Sequence, residues 1–384
     1  MSAALPAAQT LPETPRYLLA VRALCEFTAK RGDLDFRFTP APSAQEGMAG
    51  HALVQGRRPA RYQREVALSE DIGLLRVRGR ADGFDPEAVR LEEIKTHRGP
   101  LEALPANHRA LHRAQLRTYG ALLCRARALD RLELCLVYFD LTTQEERVVT
   151  ELAEAAVLRE EFEARCQSFL DWAARELAHR SARDGALQTL RFPHAQFNAG
   201  QRSLGAAVFR AARDARPLLA QAPTGIGKSI ATLFGMLKAA GHCGLDRIFV
   251  LTAKTSGRGP LLAALQSVHE STASLPLRVL EFAAKEAACE HPGRACHGAS
   301  CPLARGFYDR LPAARGAALA ERWLGQPRVR ELALEHQVCP YYLAQELVRW
   351  CDVVVADFNH YFDASALLYG LTLACQWRVG RAGR

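Results

Sequence analysis

Hydrophobic and polar residues alternate with two different periods in the first half of the chain, and together these periods predict a short α/β unit. Helical spacing covers residues 17–28, 49–54, 105–129 and 151–179. Strand-like apolar runs cover residues 66–77, 88–96 and 132–140. The stretch 181–193 has no clear periodicity, so we expect it to be a linker to a second domain.

The pattern restarts after residue 196 as helix, strand, glycine-rich loop and helix. The predicted segments are 201–212, 217–221, 222–227 and 228–240, followed by apolar strands at 247–251 and 353–355. Alternation of strands and helices is typical of a parallel sheet covered by helices. Residues 288–340 interrupt this alternation and are predicted to be an insertion.

Length and composition narrow the classes of protein. A chain of 384 residues predicts two or three domains. Its first 16 residues lack the apolar stretch of a secretory signal, and no run of about 18 apolar residues predicts a membrane span. We therefore expect a cytoplasmic protein. The net charge of +9 favours a polyanionic partner.

The segment 222–229 reads Ala-Pro-Thr-Gly-Ile-Gly-Lys-Ser and has P-loop spacing, with Ala in place of the first Gly. Gly225 and Gly227 allow backbone N–H groups to surround phosphate oxygens. Lys228 would neutralise the β and γ phosphates, and the Ser229 hydroxyl would bind Mg²⁺. The sequence therefore predicts an ATP site that also includes Thr224.

Four cysteines are concentrated in the predicted insertion. Cys289, Cys296 and Cys301 are followed by Cys339, with intervals of six, four and thirty-seven residues. Four thiolates suit either zinc or an iron–sulfur cluster, and the absence of CxxC pairs favours the cluster. In the zinc interpretation, His291 and His297 are alternative ligands.

These features together resemble the XPD/DinG group of superfamily 2 helicases, over about residues 192–377. The resemblance rests on the P-loop, the upstream Gln201, the four cysteines, the run Cys-Pro-Tyr-Tyr at 339–342 and the segment 350–360. It implies 5′-to-3′ unwinding of single-stranded or forked DNA, a 4Fe-4S cluster on the four cysteines, ATP bound by Lys228 and Ser229, and an adenine contact by Gln201.

A second group of polar residues lies in the first domain. Asp82 ends one predicted strand, and Glu93 and Lys95 project from the same face of the next, because residues two apart on a strand point the same way. Two carboxylates beside an ammonium suit Mg²⁺- or Mn²⁺-dependent cleavage of phosphodiesters. The alternative is an ordinary polar strand face with a surface ion pair.

Two helical motifs support the catalytic interpretation. Gln115 and Tyr119 lie four apart on one helix face, and His51 ends a Gly-x-x-x-His motif that begins at Gly47. With Asp and Glu-x-Lys, these motifs resemble the RecB-like branch of the PD-(D/E)XK nucleases, over about residues 20–180. The resemblance implies His51, Asp82 and Glu93 as metal ligands, Lys95 as catalytic, and Gln115 and Tyr119 as supporting residues.

The sequence departs from the helicase pattern in one respect. The 384 residues contain no Asp-Glu-Ala-His motif and no second RecA-like domain, both of which a complete motor needs. We expect a truncated or split protein that binds nucleotide weakly and does not unwind DNA alone. A separate chain would then supply the second domain.

The sequence therefore predicts an α/β protein with three parts. These are a PD-(D/E)XK nuclease-like domain (1–180), a linker (181–193) and an incomplete P-loop, RecA-like helicase domain (194–384) with an iron–sulfur insertion at about 285–342. The leading hypothesis is a nuclease–helicase fusion for DNA repair or processing. A non-enzymatic DNA-binding remnant and a standalone metal-dependent DNA exonuclease are the alternatives.

Overall fold

Two β-sheets organise the chain in the computed structural model, which describes residues 17–36, 42–272, 275–363, 366–375 and 377–383. Two compact units contain one sheet each. The first comprises the described residues up to Ala29 with Gly47–Thr96 and Leu111–Leu177. The second comprises those within Lys30–Glu46, His97–Ala110 and Ala178–Arg384.

The described residues form eleven strands and thirteen α-helices. The strands are β1 (Tyr17–Ala20), β2 (Gln63–Ile72), β3 (Leu75–Asp85), β4 (Arg90–His97), β5 (Arg131–Asp140), β6 (Glu146–Glu154), β7 (Arg247–Thr252), β8 (Val279–Glu281), β9 (Trp323–Leu324), β10 (Val353–Asp357) and β11 (Val379–Gly383). The helices are α1 (Val21–Ala29), α2 (Ala44–Gly56), α3 (Ala106–Arg127), α4 (Ala155–Thr189), α5 (Gln201–Arg213), α6 (Lys228–Cys243), α7 (Arg258–Ser271), α8 (Lys285–Ala288), α9 (Phe307–Ala320), α10 (Gln326–Glu335), α11 (Pro340–Leu347), α12 (Asn359–Phe362) and α13 (Leu367–Cys375).

The sheet of the first unit mixes parallel and antiparallel strands. Its order is β1-β3-β4-β5-β6, and β2 pairs with β3. The predicted helix 17–28 is wrong at its start, because residues 17–20 form β1 and pair in parallel with β3. The predicted strand 66–77 is a hairpin that turns at Gly73, whose φ is 54°. The predicted helix 151–179 begins late, because β6 pairs with β5 as far as Glu154.

A small apolar cluster packs α2 against this sheet. Val54 of α2 packs with Ile94 of β4 and with Val137 and Phe139 of β5, and all four side chains are buried. The helix approaches closely because Gly50 faces β4, where an added Cβ would lie 2.6 Å from Thr96 Cγ2. This contact fixes the position of the helix that carries His51.

The second sheet is parallel throughout, in the order β11-β7-β10-β8-β9. Both faces are buried, as parallel sheets require. Ile248 and Val250 of β7 join one apolar cluster with α6 and α7. Phe249 and Leu251 join another with α9, α10 and α11. This confirms the parallel sheet that the sequence predicts.

One predicted segment of the second half is wrong. The run 217–221 is not a strand: no described strand pairs with it, and Leu218 and Leu219 are 45% and 101% exposed. The linker 181–193 is largely helical, since α4 continues to Thr189. Its last turns are held by buried contacts, which apolar periodicity alone did not reveal. No helix in the described part of the chain is long and apolar enough to span a membrane.

A buried ion network holds the end of α4 in the second unit. Asp352, 3% exposed, accepts hydrogen bonds from His179 Nε2 (2.9 Å), Arg183 Nη1 (2.9 Å) and the backbone N–H of Arg278 (2.8 Å). Burial alone would raise the pKa of Asp352. The hydrogen bond from His179 and the charge of Arg183 outweigh burial and hold that pKa well below its usual range.

We predict that Asp352→Ala lowers the free energy of unfolding by about 3–5 kcal/mol, because it removes the buried acceptor shared by His179, Arg183 and the Arg278 N–H and leaves Arg183 with Asp184 as its remaining carboxylate partner. Since the folded pKa is depressed, the contribution of Asp352 is present above about pH 4 and is lost as the pH falls further. Urea unfolding at several pH values measures both effects. Asp214→Ala, which removes an exposed ion pair with Arg213, is the control and should change little. An unchanged unfolding midpoint for Asp352→Ala would contradict the prediction.

Candidate functional site

The first candidate site lies where β3 and β4 run side by side. Lys95 Nζ donates to Glu93 Oε1 at 2.7 Å, and the backbone N–H of Ile94 donates to Asp82 Oδ2 at 2.6 Å. Glu92, the neighbour of Glu93, is bonded instead to Arg58 and Tyr62. The strand pairing thus brings Asp82, Glu93 and Lys95 together.

Two helices add the remaining predicted residues. His51 Nδ1 of α2 lies 3.3 Å from Asp82 Oδ1. Gln115 Oε1 of α3 accepts a hydrogen bond from Lys95 Nζ at 2.9 Å. Tyr119, one turn further along α3, is buried and lies near Glu93 and Asp82. Residues from four separate elements therefore meet in one cluster.

The electrostatics of the cluster are dominated by the burial of the Glu93 carboxylate. Burial, together with the charge of Asp82 and against the opposing charge of Lys95, raises the pKa of Glu93 to about 7. Burial lowers the pKa of His51, but its hydrogen bond to Asp82 and the charge of Asp82 leave that pKa above its usual value. The pKa of Tyr119 is raised, by burial first and then by Glu93 and Asp82. The site therefore favours added positive charge.

The donor set suits a hard divalent cation. The two carboxylates are ligands that Mg²⁺ or Mn²⁺ prefers, whereas the imidazole is a ligand more usual for Zn²⁺ or Fe²⁺. Within the described residues, no three His, Cys, Asp or Glu side chains are already arranged as a metal site. Lys95 and the Ile94 N–H instead take carboxylate oxygens of Glu93 and Asp82. His51, Asp82 and Glu93 are the residues that would hold the ion.

Sequence reasoning missed three residues that build this site. Gly50 allows α2 to approach β4, as described above. Gly79 allows α3 to approach β3, because an added Cβ would lie 2.7 Å from Tyr119 Oη. Gln55 of α2 donates to the backbone oxygen of Asp82 at 2.9 Å. Both glycines lie next to motif residues in the sequence, Gly50 before His51 and Gly79 three residues before Asp82. Their close contacts, however, depend on the three-dimensional packing.

The second candidate site is the glycine-rich loop before α6. Gly225 and Gly227 have φ values of 86° and 79°, in the left-handed region that glycine tolerates best. Helix α6 begins at Lys228, so its N-terminal N–H groups face the loop. Lys228 Nζ donates to the backbone oxygens of Ala222 (3.0 Å) and Pro223 (2.7 Å). Thr224 in the loop is exposed, and Ser229 in the first turn of α6 is half-buried.

Gln201 supports this loop directly. Its side chain is 2% exposed, accepts from the backbone N–H of Asn198 at 2.9 Å and donates to the Gly227 oxygen at 3.3 Å. A Cβ at Gly227 would lie 2.4 Å from Gln201 Nε2. The structure therefore places Gln201 against the loop backbone. The predicted contact with adenine stays a prediction.

The four cysteines of the insertion are free thiols, all half-buried. Burial raises the pKa of Cys339, and nearby Cys289 and Cys301 raise it further, while backbone N–H groups of Tyr342 and Tyr341 oppose this. Cys296 is hydrogen-bonded by Lys285 and by Tyr342. The cysteines thus share one neighbourhood, in which N–H donors and an ammonium suit thiolates, but they are not arranged as a ready ligand set among the described residues.

Part of the second unit matches a known protein family. Residues 272–369 match the DEAD_2 family model, a domain of XPD-like helicases. This match supports a relationship to XPD-type DNA helicases for this segment, which contains β8, β9, β10 and the four cysteines predicted to bind a cluster. No curated protein matches the chain.

Two solved structures resemble parts of the chain. The crystal structure of SSO0001 is 20% identical, with a TM-score of 0.22, over 31% of this chain and 55% of that chain. A truncated XPD is 16% identical, with a TM-score of 0.28, over 42% of this chain and 45% of that chain. The alignments thus span about half the length of these two structures.

We predict different effects on stability when two glycines of α2 are replaced by alanine. Gly50→Ala should lower the free energy of unfolding by about 1–3 kcal/mol, because its Cβ meets Thr96 at 2.6 Å and Leu141 at 2.9 Å. Gly56→Ala, at the end of the same helix, meets nothing within 4 Å. It should be neutral or stabilise by up to about 1 kcal/mol. Chemical denaturation measures both variants, and equal effects would contradict the packing of α2 described here.

Proposed function

We propose that this chain is the ATP-binding part of an XPD-type DNA helicase with an attached metal-dependent DNA nuclease. The DEAD_2 match over residues 272–369 carries the helicase part of the proposal. The glycine loop with Lys228, placed before α6 of the same unit, supports ATP and Mg²⁺ as its cofactors. Single-stranded or forked DNA is the substrate, and 5′-to-3′ polarity follows from the resemblance.

The cysteine neighbourhood supports a structural cluster within this helicase. Cys289, Cys296, Cys301 and Cys339 would hold a 4Fe-4S cluster, which contributes to folding of the insertion when bound. Lys285 and the N-terminal N–H groups of α11 would offset the negative charge of the four thiolates. The apolar cluster beneath them includes Phe307 and Leu343.

We predict that anaerobically purified protein contains about four iron and four sulfide ions per chain and absorbs visible light. Cys339→Ser should lose most of this iron, because it removes the ligand at the start of α11. Cys243→Ser, which changes a half-buried thiol of α6, is the matched control and should retain it. Iron and sulfide analysis with visible absorption measures the outcome. A zinc-loaded, colourless protein would contradict the cluster.

The nuclease part of the proposal is carried by the convergence of His51, Asp82, Glu93, Lys95 and Gln115. When bound by His51, Asp82 and Glu93, a divalent ion supplies Lewis acidity for phosphodiester cleavage. Lys95 is fixed between Glu93 and Gln115, so its ammonium can stabilise charge that develops on the phosphate. Tyr119 closes the cluster on the α3 side.

We predict that the protein cleaves supercoiled plasmid with Mg²⁺ or Mn²⁺ and that Lys95→Ala lowers the rate about 10²–10³-fold, the usual loss when one charge-stabilising group is removed. Lys238→Ala, on α6, should cleave at the wild-type rate. The two variants are purified and assayed identically, so that a contaminating nuclease would appear in both. Undiminished cleavage by Lys95→Ala would refute the proposed role.

A further inference from the structure

Gln55 lies beside the candidate nuclease site and belongs to none of the motifs that predicted it. It is one turn after His51 on α2, so the two side chains share a helix face. The side chain is 7% exposed. Its Nε2 donates to the backbone oxygen of Asp82 at 2.9 Å, while His51 Nδ1 lies 3.3 Å from the Asp82 carboxylate. One helix face thus contacts both the backbone and the side chain of Asp82.

The strand opposite Asp82 is distorted at the same point. In the antiparallel register, Arg64 pairs with Gly83 and Val66 pairs with Ala81, which places Glu65 across from Asp82. Glu65 has a φ of 51°, an uncommon conformation for a residue other than glycine, and such strain persists only where surrounding contacts maintain it. Its Oε1 lies 3.4 Å from Gln55 Nε2.

The amide of Gln55 therefore joins three parts of the site. One nitrogen, with two N–H groups, reaches the Asp82 carbonyl and the Glu65 carboxylate, and its own helix carries His51. A buried amide can also serve only to satisfy polar atoms in a packed interface. The position of Gln55 indicates a further role, because it donates to the backbone oxygen of Asp82, whose carboxylate must be oriented to bind the ion.

We propose that Gln55 is a positioning residue that fixes Asp82 relative to His51 for binding of the divalent ion. This role rests on the proposed nuclease function. Partners that orient metal ligands commonly change metal affinity by about 10–100-fold when they are removed. Gln55 would act in this way through the main chain of Asp82, without contacting the ion or the DNA.

The test compares Mn²⁺ binding by the full chain and its Gln55→Leu variant, which keeps the side-chain volume and loses the donor. The Mn²⁺ Kd from electron paramagnetic resonance should rise about tenfold or more. The Mn²⁺ concentration for half-maximal plasmid cleavage should rise in parallel, while the rate at saturating Mn²⁺ stays within about threefold. Gln188→Leu is the matched control, since Gln188 also donates to a backbone oxygen, that of Gly241 at 2.8 Å. It should leave the Mn²⁺ Kd unchanged.

The outcomes separate this role from the function on which it rests. A wild-type Mn²⁺ Kd in Gln55→Leu, even with reduced thermal stability, would show a packing role only and overturn the proposal. If Asp82→Ala in an otherwise unchanged chain binds Mn²⁺ as tightly as the wild type, the proposed nuclease site itself is wrong, and the role of Gln55 is overturned with it. The proposal is supported if Gln55→Leu loses Mn²⁺ affinity while its thermal unfolding midpoint equals that of the Gln188→Leu control.

Discussion

The burial of Glu93 beside Asp82 is the constraint on which the first unit depends. Two carboxylates that are mostly removed from water destabilise each other, and a protein that keeps them must provide opposing charge or hydrogen-bond donors. Here these are the Lys95 ammonium, the Ile94 N–H and the His51 imidazole. Lys95 and the Ile94 N–H belong to β4, His51 belongs to α2, and Lys95 is in turn bonded to Gln115 of α3. The pairing of β3 with β4 and the packing of both helices must therefore all be correct for the cluster to form.

Sequence reasoning predicted this cluster because its chemistry follows local spacing. Glu93 and Lys95 share a strand face, and Gln115 and Tyr119 share a helix face, so each pair is determined by the period of its own element. The position of Asp82 across the hairpin also follows from sequence order. What spacing could not provide is the distance between elements. Gly50 and Gly79 set the approach of α2 and α3, and their effect appears only when the helices are packed on the sheet.

The second unit shows where local pattern fails. Continuous burial along β7 and β10 was predictable, because a parallel sheet is covered on both faces. The run 217–221 has the same apolar character, yet it is irregular and exposed, because a strand needs a partner for its backbone groups as well as an apolar composition. The end of the helix at Thr189 was missed for a different reason. It is held partly by polar contacts, namely the ion pairs of Asp352 with His179 and Arg183 and the hydrogen bond from Gln188 to Gly241, and hydrophobic periodicity does not detect such contacts.

Gln55 illustrates the same limit at the level of function. In the sequence it is a glutamine in a helix with no motif, and Glu65 is one polar residue in an alternating strand. Their contacts with Asp82 and with each other depend on two features of the fold. The strand register places Glu65 across from Asp82, and the packing of Val54 on the sheet fixes α2. A carboxylate can be recognised as a metal ligand from its chemistry alone. A residue that orients this carboxylate, such as Gln55, can be recognised only from its contacts in the folded structure. Residues that position metal ligands are therefore the part of a site that a single sequence does not reveal.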